Sequence, residues 1–254
     1  LRALPSPPDF KHASWACSYP AEPERFPTGQ CYAFRKQRSR MPPTLVNIAV
    51  GILLGVALLG AAFDRRAITV VAFAAAVPDL DAIVGALGIG GANATLHSVF
   101  VPLGAAALLY YDTAVRDQSW LGDRYGWYGV RVAWVAIAAY AVAGIGPDAF
   151  SPESAAFLYP LSDRYYAVTG GFLLSTQDGI VQTYVAFGEG WLGLETPGTI
   201  ASHHIETWID PAGEERRVGI VESGWQAVLV VTAAAAVPVK AFVERLDRTA
   251  AGDR

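Results

Sequence analysis

Long apolar runs separated by short polar links dominate the chain after residue 41. Five stretches of about twenty residues consist mainly of Ala, Val, Leu, Ile and Gly, and about twenty residues is the length a helix needs to cross a bilayer. A soluble protein would instead mix apolar and charged residues at a period of 2 or 3.6. The pattern predicts an all-α integral membrane helical bundle of about five transmembrane helices, at 44–63, 67–88, 96–115, 130–147 and 224–243.

The connection between the fourth and fifth predicted helices, 149–222, has a different composition. It holds ten acidic residues against three arginines. Its glycine-rich turns and its aromatic and β-branched runs are typical of strands. The sequence predicts a small, acidic, β-rich external cap here, and a solvated loop is the alternative. Helices 1–4 would then occupy 41–148, and helix 5 with a charged tail would occupy 223–254.

The first forty residues do not fit the helical pattern. They contain six prolines and both cysteines, Cys17 and Cys31, and they lack apolar periodicity. Met41 is the only methionine, and it directly precedes the first apolar run. We expect 1–40 to be a non-native extension upstream of a natural start at Met41, or else a genuine disordered tail.

Composition and charge support a membrane location. Hydrophobic residues make up 53% of the chain and charged residues 17%, with a net charge of −4. Lys and Arg are not clustered as a nucleic-acid surface requires, so membrane lipids are the expected partners. Basic residues follow the first, third and fifth predicted helices and are missing from the link after the second. The positive-inside rule then predicts an outside N-terminus, an outside cap and a cytoplasmic C-terminus.

The second predicted helix carries two aspartates, Asp79 and Asp81, next to Pro78. A charged residue in the middle of a span costs about 2.5–3.5 kcal/mol on insertion and usually has a function. Pro78 interrupts the helical hydrogen bonds there, and we expect this break to let both carboxylates point the same way. The alternative is that the two aspartates cap a helix that ends near Val77.

The predicted topology brings polar side chains from four helices to one level of the outer leaflet. Carboxylates with a neutral imidazole suit a divalent ion such as Zn, Mn or Mg. For His97 alone, an interfacial histidine bonded to backbone is an equal alternative. The candidate catalytic residues are Asp79, Asp81 and His97, and the candidate metal ligands are these three with Asn47 and Asp148.

A second polar cluster lies in the predicted cap, in the SHHIETWID of residues 202–210. It holds His203, His204, Glu206 and Asp210, and its alternating pattern predicts a strand. On a strand, His204 and Glu206 share one face and His203 takes the other. We expect His204 to add a metal ligand from above the membrane site. A surface strand without such a role is the alternative.

The PDLD of residues 78–81, the TLHS of 95–98 and Asp148 resemble the predicted membrane-bound metal-dependent hydrolases, and halophilic archaeal members are most similar. The resemblance covers about 42–165. It implies a divalent metal and hydrolysis of a membrane-associated ester or phosphoester at the outer leaflet. The alternative is a noncatalytic relative whose polar cluster is structural or passes ions.

This chain departs from the pattern of that family at three places. The family usually has a histidine where this chain has Asn47, and a His-Arg pair where it reads Ala92-Asn93-Ala94. A histidine often precedes the last aspartate by four residues, and here that position is Gly144. The resemblance therefore implies a ligand set reduced to Asp79, Asp81, His97 and Asp148.

Overall fold

The computed structural model describes residues 44–88, 90–150, 154–168, 173–175, 179–182, 194–202, 205, 209, 220–221 and 223–252. The predicted extension at 1–40 and its boundary at Met41 lie outside these residues. The described part is mostly helical. Its α-helices are α1 (Thr44–Leu58), α2 (Arg65–Ala76), α3 (Asp81–Ala86), α4 (Phe100–Tyr110), α5 (Trp120–Ala139), α6 (Gly146–Ala149) and α7 (Gly224–Gly252).

Short non-α segments join several of these helices. The 3-10 turns Gly60–Ala62 and Pro78–Leu80 follow α1 and α2. The π-helical segments Tyr111–Val115 and Tyr140–Ile145 extend α4 and α5. Helix α5 is kinked at Gly126, whose φ of +63° and ψ of −164° are not helical. A positive φ of this kind favours glycine because glycine has no Cβ.

The core is built on a close contact between α1 and α2. A Cβ atom at Gly51 would lie 2.5 Å from the Cβ of Ala75, and one at Gly55 would lie 2.5 Å from Cδ1 of Ile68. Small residues four apart let two helices approach closely, which is how helices commonly pack inside membranes. Val71 and Ala139 are fully buried beside this contact and connect it to α5.

The start of α2 is fixed by Asp64. Its Oδ1 accepts hydrogen bonds from the backbone N–H of Ala67 at 2.7 Å and from the hydroxyl of Tyr128 at 3.0 Å. Burial raises the pKa of the Asp64 carboxyl, but these two hydrogen bonds, together with the backbone N–H and the charge of Arg66, hold the pKa below its ordinary value. The N-cap therefore also joins α2 to α5.

Two stretches are long and apolar enough to cross a membrane, Trp120–Ala149 and Gly224–Leu246. A third candidate is α2 together with Pro78–Ala86, if this pair, bent by 43°, is counted as one span. The apolar helices Thr44–Leu58 and Phe100–Val115 are shorter than a usual span of about 20 residues. By length and composition, the described residues thus contain two or three spanning helices, against the five expected from sequence.

The described part of 149–222 contains little strand, so the predicted β-rich cap is not seen there. Strands β1 (Ala167–Val168) and β4 (Leu194–Glu195) pair antiparallel, as do β2 (Leu173–Ser175) and β3 (Gly179–Gln182). Such two-stranded ribbons are only marginally stable by themselves. One reason for the difference is that apolar residues of this segment pack against the loop before α4 rather than on a sheet: Ala156, Tyr165 and Ile205 cluster with Ala94.

Substitution of Gly51 tests the contact between α1 and α2. We expect Gly51→Ala to lower stability by about 1–3 kcal/mol through overpacking, despite alanine's gain of roughly 0.5–1 kcal/mol in helix propensity. Gly104→Ala is the matched control, because a Cβ there has no atom within 4 Å. Melting temperatures in detergent should fall for the first variant and hold or rise for the second. A rise for both would contradict the close contact.

Candidate metal centre

The polar residues of the second apolar run are positioned by a break in the helix. Helix α2 ends at Ala76, the 3-10 turn begins at Pro78, and α3 begins at Asp81. Proline has no N–H to continue the helical hydrogen bonds. The structure thus has the helix end near Val77 that sequence allowed as an alternative, and α3 continues the chain beyond the bend.

Gly144 allows this break to pack against the end of the fourth apolar run. A Cβ at position 144 would lie 2.6 Å from Cγ of Pro78 and 3.0 Å from the carbonyl oxygen of Ala75. No larger side chain fits there without moving the backbone of α2. The contact explains in physical terms why position 144 is glycine, and it brings Asp148, on the short helix α6, near the break.

His97 comes from a loop, because α4 begins at Phe100 and not at residue 96 as predicted. The loop is held from several sides by hydrogen bonds. Tyr140 donates its hydroxyl to the Leu96 carbonyl, Val99 N donates to the Phe157 carbonyl at 2.9 Å, and Asn93 Nδ2 donates to the Ser154 carbonyl at 3.2 Å. His97 is fully buried as a result.

Asp81 contacts His97 on the Nδ1 side of the ring. One carboxylate oxygen lies 3.0 Å from Nδ1 of His97, and the carboxylate also accepts the backbone N–H of Leu96 at 2.9 Å and that of His97 at 3.1 Å. An ionised carboxylate can only accept hydrogen bonds, so the proton of Nδ1 points at Asp81. Nε2, on the opposite side of the ring, faces Asp148.

Asp79, His97 and Asp148 form a group whose possible ligand atoms all lie within 4.8 Å of one another. Nε2 of His97 lies 2.7 Å from Oδ2 of Asp148. Both atoms are buried, and neither has a hydrogen-bond partner beyond this contact. The contact fits either an ion pair with a protonated ring or two ligand atoms that would share a bound ion.

The donor set fits a divalent cation. Ligand atoms on one ion lie at most twice the metal–ligand distance apart, which is about 4.0–4.4 Å for Zn²⁺ or Mg²⁺. The 4.8 Å limit of the group exceeds that range by a few tenths of an ångström. Three protein ligands is the number common in catalytic zinc sites, and the oxygen-rich set of two carboxylates and one imidazole also suits Mn²⁺ or Mg²⁺. Asp79, His97 and Asp148 can therefore hold a metal ion after small shifts of their side chains, in which Nε2 of His97 and Oδ2 of Asp148 would separate from 2.7 Å to about 3.0–3.4 Å.

The other predicted site residues have different places. Asn47 is fully buried on α1 and donates from Nδ2 to the two oxygens of Asp79 at 3.1 and 3.3 Å. Asp81 contacts the far side of the His97 ring and is not in the group of three. His204, with His203, Glu206 and Asp210, lies outside the described residues.

Tyr140 is a residue of the site that the sequence analysis did not identify. Its hydroxyl holds the carbonyl of Leu96, next to His97. The signal was present in the sequence, because Tyr140 is the single hydroxyl-bearing side chain in the run AIAAYAVAGIG of residues 136–146. A hydroxyl inside an apolar helix needs a partner from a neighbouring segment.

Comparisons with known proteins found no family model, no curated protein and no solved structure that matches this chain. The interpretation of the centre therefore depends on the geometry of its own residues.

Asp81→Asn tests whether Asp81 positions His97. The substitution removes the charge behind the ring, so we expect affinity for Mn²⁺ to fall about 10–100-fold, as is usual when the partner of a metal-binding histidine is lost. The measurement is a Mn²⁺ titration in detergent, with Asp117→Asn, an exposed carboxylate elsewhere, as control. Unchanged affinity would contradict a positioning role. Loss as complete as in Asp79→Asn would instead make Asp81 a direct ligand.

Proposed function

We propose that the chain is a multi-pass integral membrane protein with about five spans. The exposed surface of α7 supports this placement, since Val228, Val231, Val239 and Phe242 are each at least 60% exposed. A contiguous apolar face of this kind is typical of contact with lipid or a partner. The short helices also extend: α1 leads into the 3-10 turn Gly60–Ala62 and α4 into the π-segment Tyr111–Val115.

A band of aromatic and basic residues supports a membrane boundary at the start of α5. Trp120, Tyr125 and Trp127 are exposed there, and the guanidinium groups of Arg124 and Arg131 lie 5.6 Å from the ring centroids of Tyr125 and Trp127, respectively. Trp and Tyr collect at membrane interfaces, and arginines favour the cytoplasmic side. In our proposal, this side is cytoplasmic, and the metal-centre residues lie toward the outer leaflet.

We further propose that the protein is a metal-dependent hydrolase. The observation that carries the proposal is the group of Asp79, His97 and Asp148, in which Nε2 of His97 and Oδ2 of Asp148 are buried together with no partner beyond their mutual contact. These residues would hold the ion, Asp81 would orient the imidazole, and Asn47 would orient Asp79. A bound Zn, Mn or Mg ion supplies Lewis acidity and activates water for hydrolysis.

The burial of charge favours a cation over an empty ion-pair cluster. Asp79, Asp81 and Asp148 contribute three negative charges when ionised, and a protonated His97 would offset one of them, leaving two. Among the described residues, no Lys or Arg forms an ion pair with these carboxylates. Buried charges that are not balanced are strongly destabilising. A divalent ion held by Nε2 of a neutral His97 would instead offset two of the three carboxylate charges, leaving one.

The substrate class follows from the proposed location. Asp79 is only partly buried, whereas His97 and Asp148 are 0% and 2% exposed. A substrate would therefore approach from the side of Asp79. In a centre at the outer ends of membrane helices, we infer that the substrate is a membrane-associated ester or phosphoester, so that membrane lipids are the principal partners.

One observation favours a noncatalytic function instead. Both ring nitrogens of His97 lie close to carboxylates, Nδ1 at 3.0 Å from Asp81 and Nε2 at 2.7 Å from Asp148. With a protonated ring, these three residues would form a closed ion-pair triad that needs no metal. In that case, the cluster would be structural, or would pass ions, in a protein without hydrolase activity.

Metal analysis separates the two functions. Protein purified in detergent should carry about one tightly bound divalent ion, because three protein ligands suffice for a catalytic site. We expect Asp79→Asn and Asp148→Asn to lose it, and Asp117→Asn to keep it. Hydrolysis of a reporter phosphodiester or carboxylic ester should be lost on chelation and restored by the ion. Equal, negligible metal in wild type and Asp79→Asn would favour the noncatalytic triad.

Cysteine labelling tests the proposed orientation. Ser175→Cys and Thr249→Cys are placed singly in a background with Cys17→Ser and Cys31→Ser. We expect a membrane-impermeant thiol reagent to label position 175 in intact cells and to reach position 249 only after lysis, because 149–222 is proposed to be external and the tail cytoplasmic. The reverse pattern would contradict the orientation, and labelling at both positions in intact cells would contradict a crossing of the membrane by α7.

A further inference from the structure

A groove lies at the end of the helix bundle opposite the metal-centre residues. It runs between the link from α1 to α2 and the second half of α7, and its volume is 720 Å³. Its apolar walls include Phe63, Ile68, Val237 and Phe242. The twelve residues of α2 separate it from Pro78, which is about 18 Å of helix. It is therefore distinct from the proposed hydrolase site.

Of the charged residues that line the groove, two already have partners within the protein. Asp64 already accepts hydrogen bonds from Ala67 and Tyr128, and Glu244 lies 3.6 Å from Lys240. Arg65 and Arg245 also line the groove and are exposed. Within the described part of the chain, neither guanidinium group has an ion pair or a hydrogen bond. The groove thus combines an apolar wall with two cationic side chains that are available to a ligand.

We propose that this groove binds an anionic phospholipid. The acyl chain would lie along the apolar wall, and the phosphate would lie between Arg65 and Arg245. The planar guanidinium group matches phosphate oxygens in geometry and charge. Basic pockets between helices near the cytoplasmic face are a usual site for anionic headgroups. The proposal rests on the membrane orientation proposed above and is independent of the metal and of hydrolysis.

The inference predicts selective stabilisation by lipid. The full chain in uncharged detergent is titrated with dioleoyl phosphatidylglycerol, with dioleoyl phosphatidylcholine, and with inorganic phosphate, and the melting temperature is followed by tryptophan fluorescence. At about ten times the dissociation constant, phosphatidylglycerol should raise the melting temperature by about 3–6 °C. The other two additives should produce less than a third of that shift.

Charge-removing variants locate the effect. In Arg65→Gln/Arg245→Gln the shift by phosphatidylglycerol should fall to the level of phosphatidylcholine. Arg124→Gln is the matched control, because Arg124 is exposed on α5 against Tyr125 and is not part of the groove. Each single variant should show an intermediate shift, which keeps the test valid if the double variant is unstable.

Three results would overturn the lipid site. They are an equal shift by both lipids, an equal shift by inorganic phosphate, and a full shift in the double variant. Metal content measured on the same samples separates this proposal from the hydrolase. The arginine variants should keep their metal. Wild-type protein that holds metal but shows no preference for phosphatidylglycerol would reject the groove alone.

Discussion

The contact between Pro78 and Gly144 is the constraint on which the arrangement of the centre depends. Pro78 ends α2 before the aspartates, and Gly144 leaves room for the proline ring, with only 2.6 Å between Cγ and a hypothetical Cβ. Because of this fit, the polar residues that follow the proline lie next to the aspartate that follows the glycine. Asp79 and Asp81 follow the proline, Asp148 follows the glycine by four residues, and the loop with His97 is held against both by Asp81 and Tyr140.

Within that arrangement, hydrogen bonds from the backbone or from a neighbouring side chain fix the orientation of Asp81, of the His97 ring and of Asp79. Asp81 is fully buried and accepts two backbone N–H groups as well as Nδ1 of His97, so it fixes the ring rather than joining the group around Nε2. Asn47 fixes Asp79 in the same way. Metal-binding histidines and carboxylates are generally held in position by such supporting hydrogen bonds.

The sequence was a better guide to which polar residues lie close together than to their relative orientation. Buried aspartates in an apolar run, and a histidine before the next run, were sufficient to single out Asp79, Asp81, His97 and Asp148. The expectation that both aspartates point the same way did not allow for the helical geometry that continues beyond Pro78, in which residues two apart do not share a face. The structure accordingly groups Asp79 with His97 and Asp148, whereas Asp81 contacts Nδ1 of His97 and is not in that group.

Hydrophobicity alone was less informative about element boundaries. The apolar runs at 44–63 and 96–115 each include a turn or loop that the structure separates from the helix, at Leu59–Phe63 and before Phe100. Gly60, with a φ of +55°, and His97, which is bonded to Asp81, mark these boundaries. Neither feature changes the mean hydropathy of the run. Boundaries of this kind depend on tertiary hydrogen bonds, which a single sequence does not display.

The central claim is that Asp79, His97 and Asp148 hold one divalent ion while Asp81 acts from behind the ring. An anomalous difference map from crystals of the full chain grown with Mn²⁺ tests it directly. We expect one peak about 2.0–2.4 Å from Nε2 of His97 and from one oxygen each of Asp79 and Asp148, with Asp81 still bonded to Nδ1. A map with no peak and Nε2 donating a hydrogen bond to Asp148, or a peak coordinated by Asp81, would contradict it.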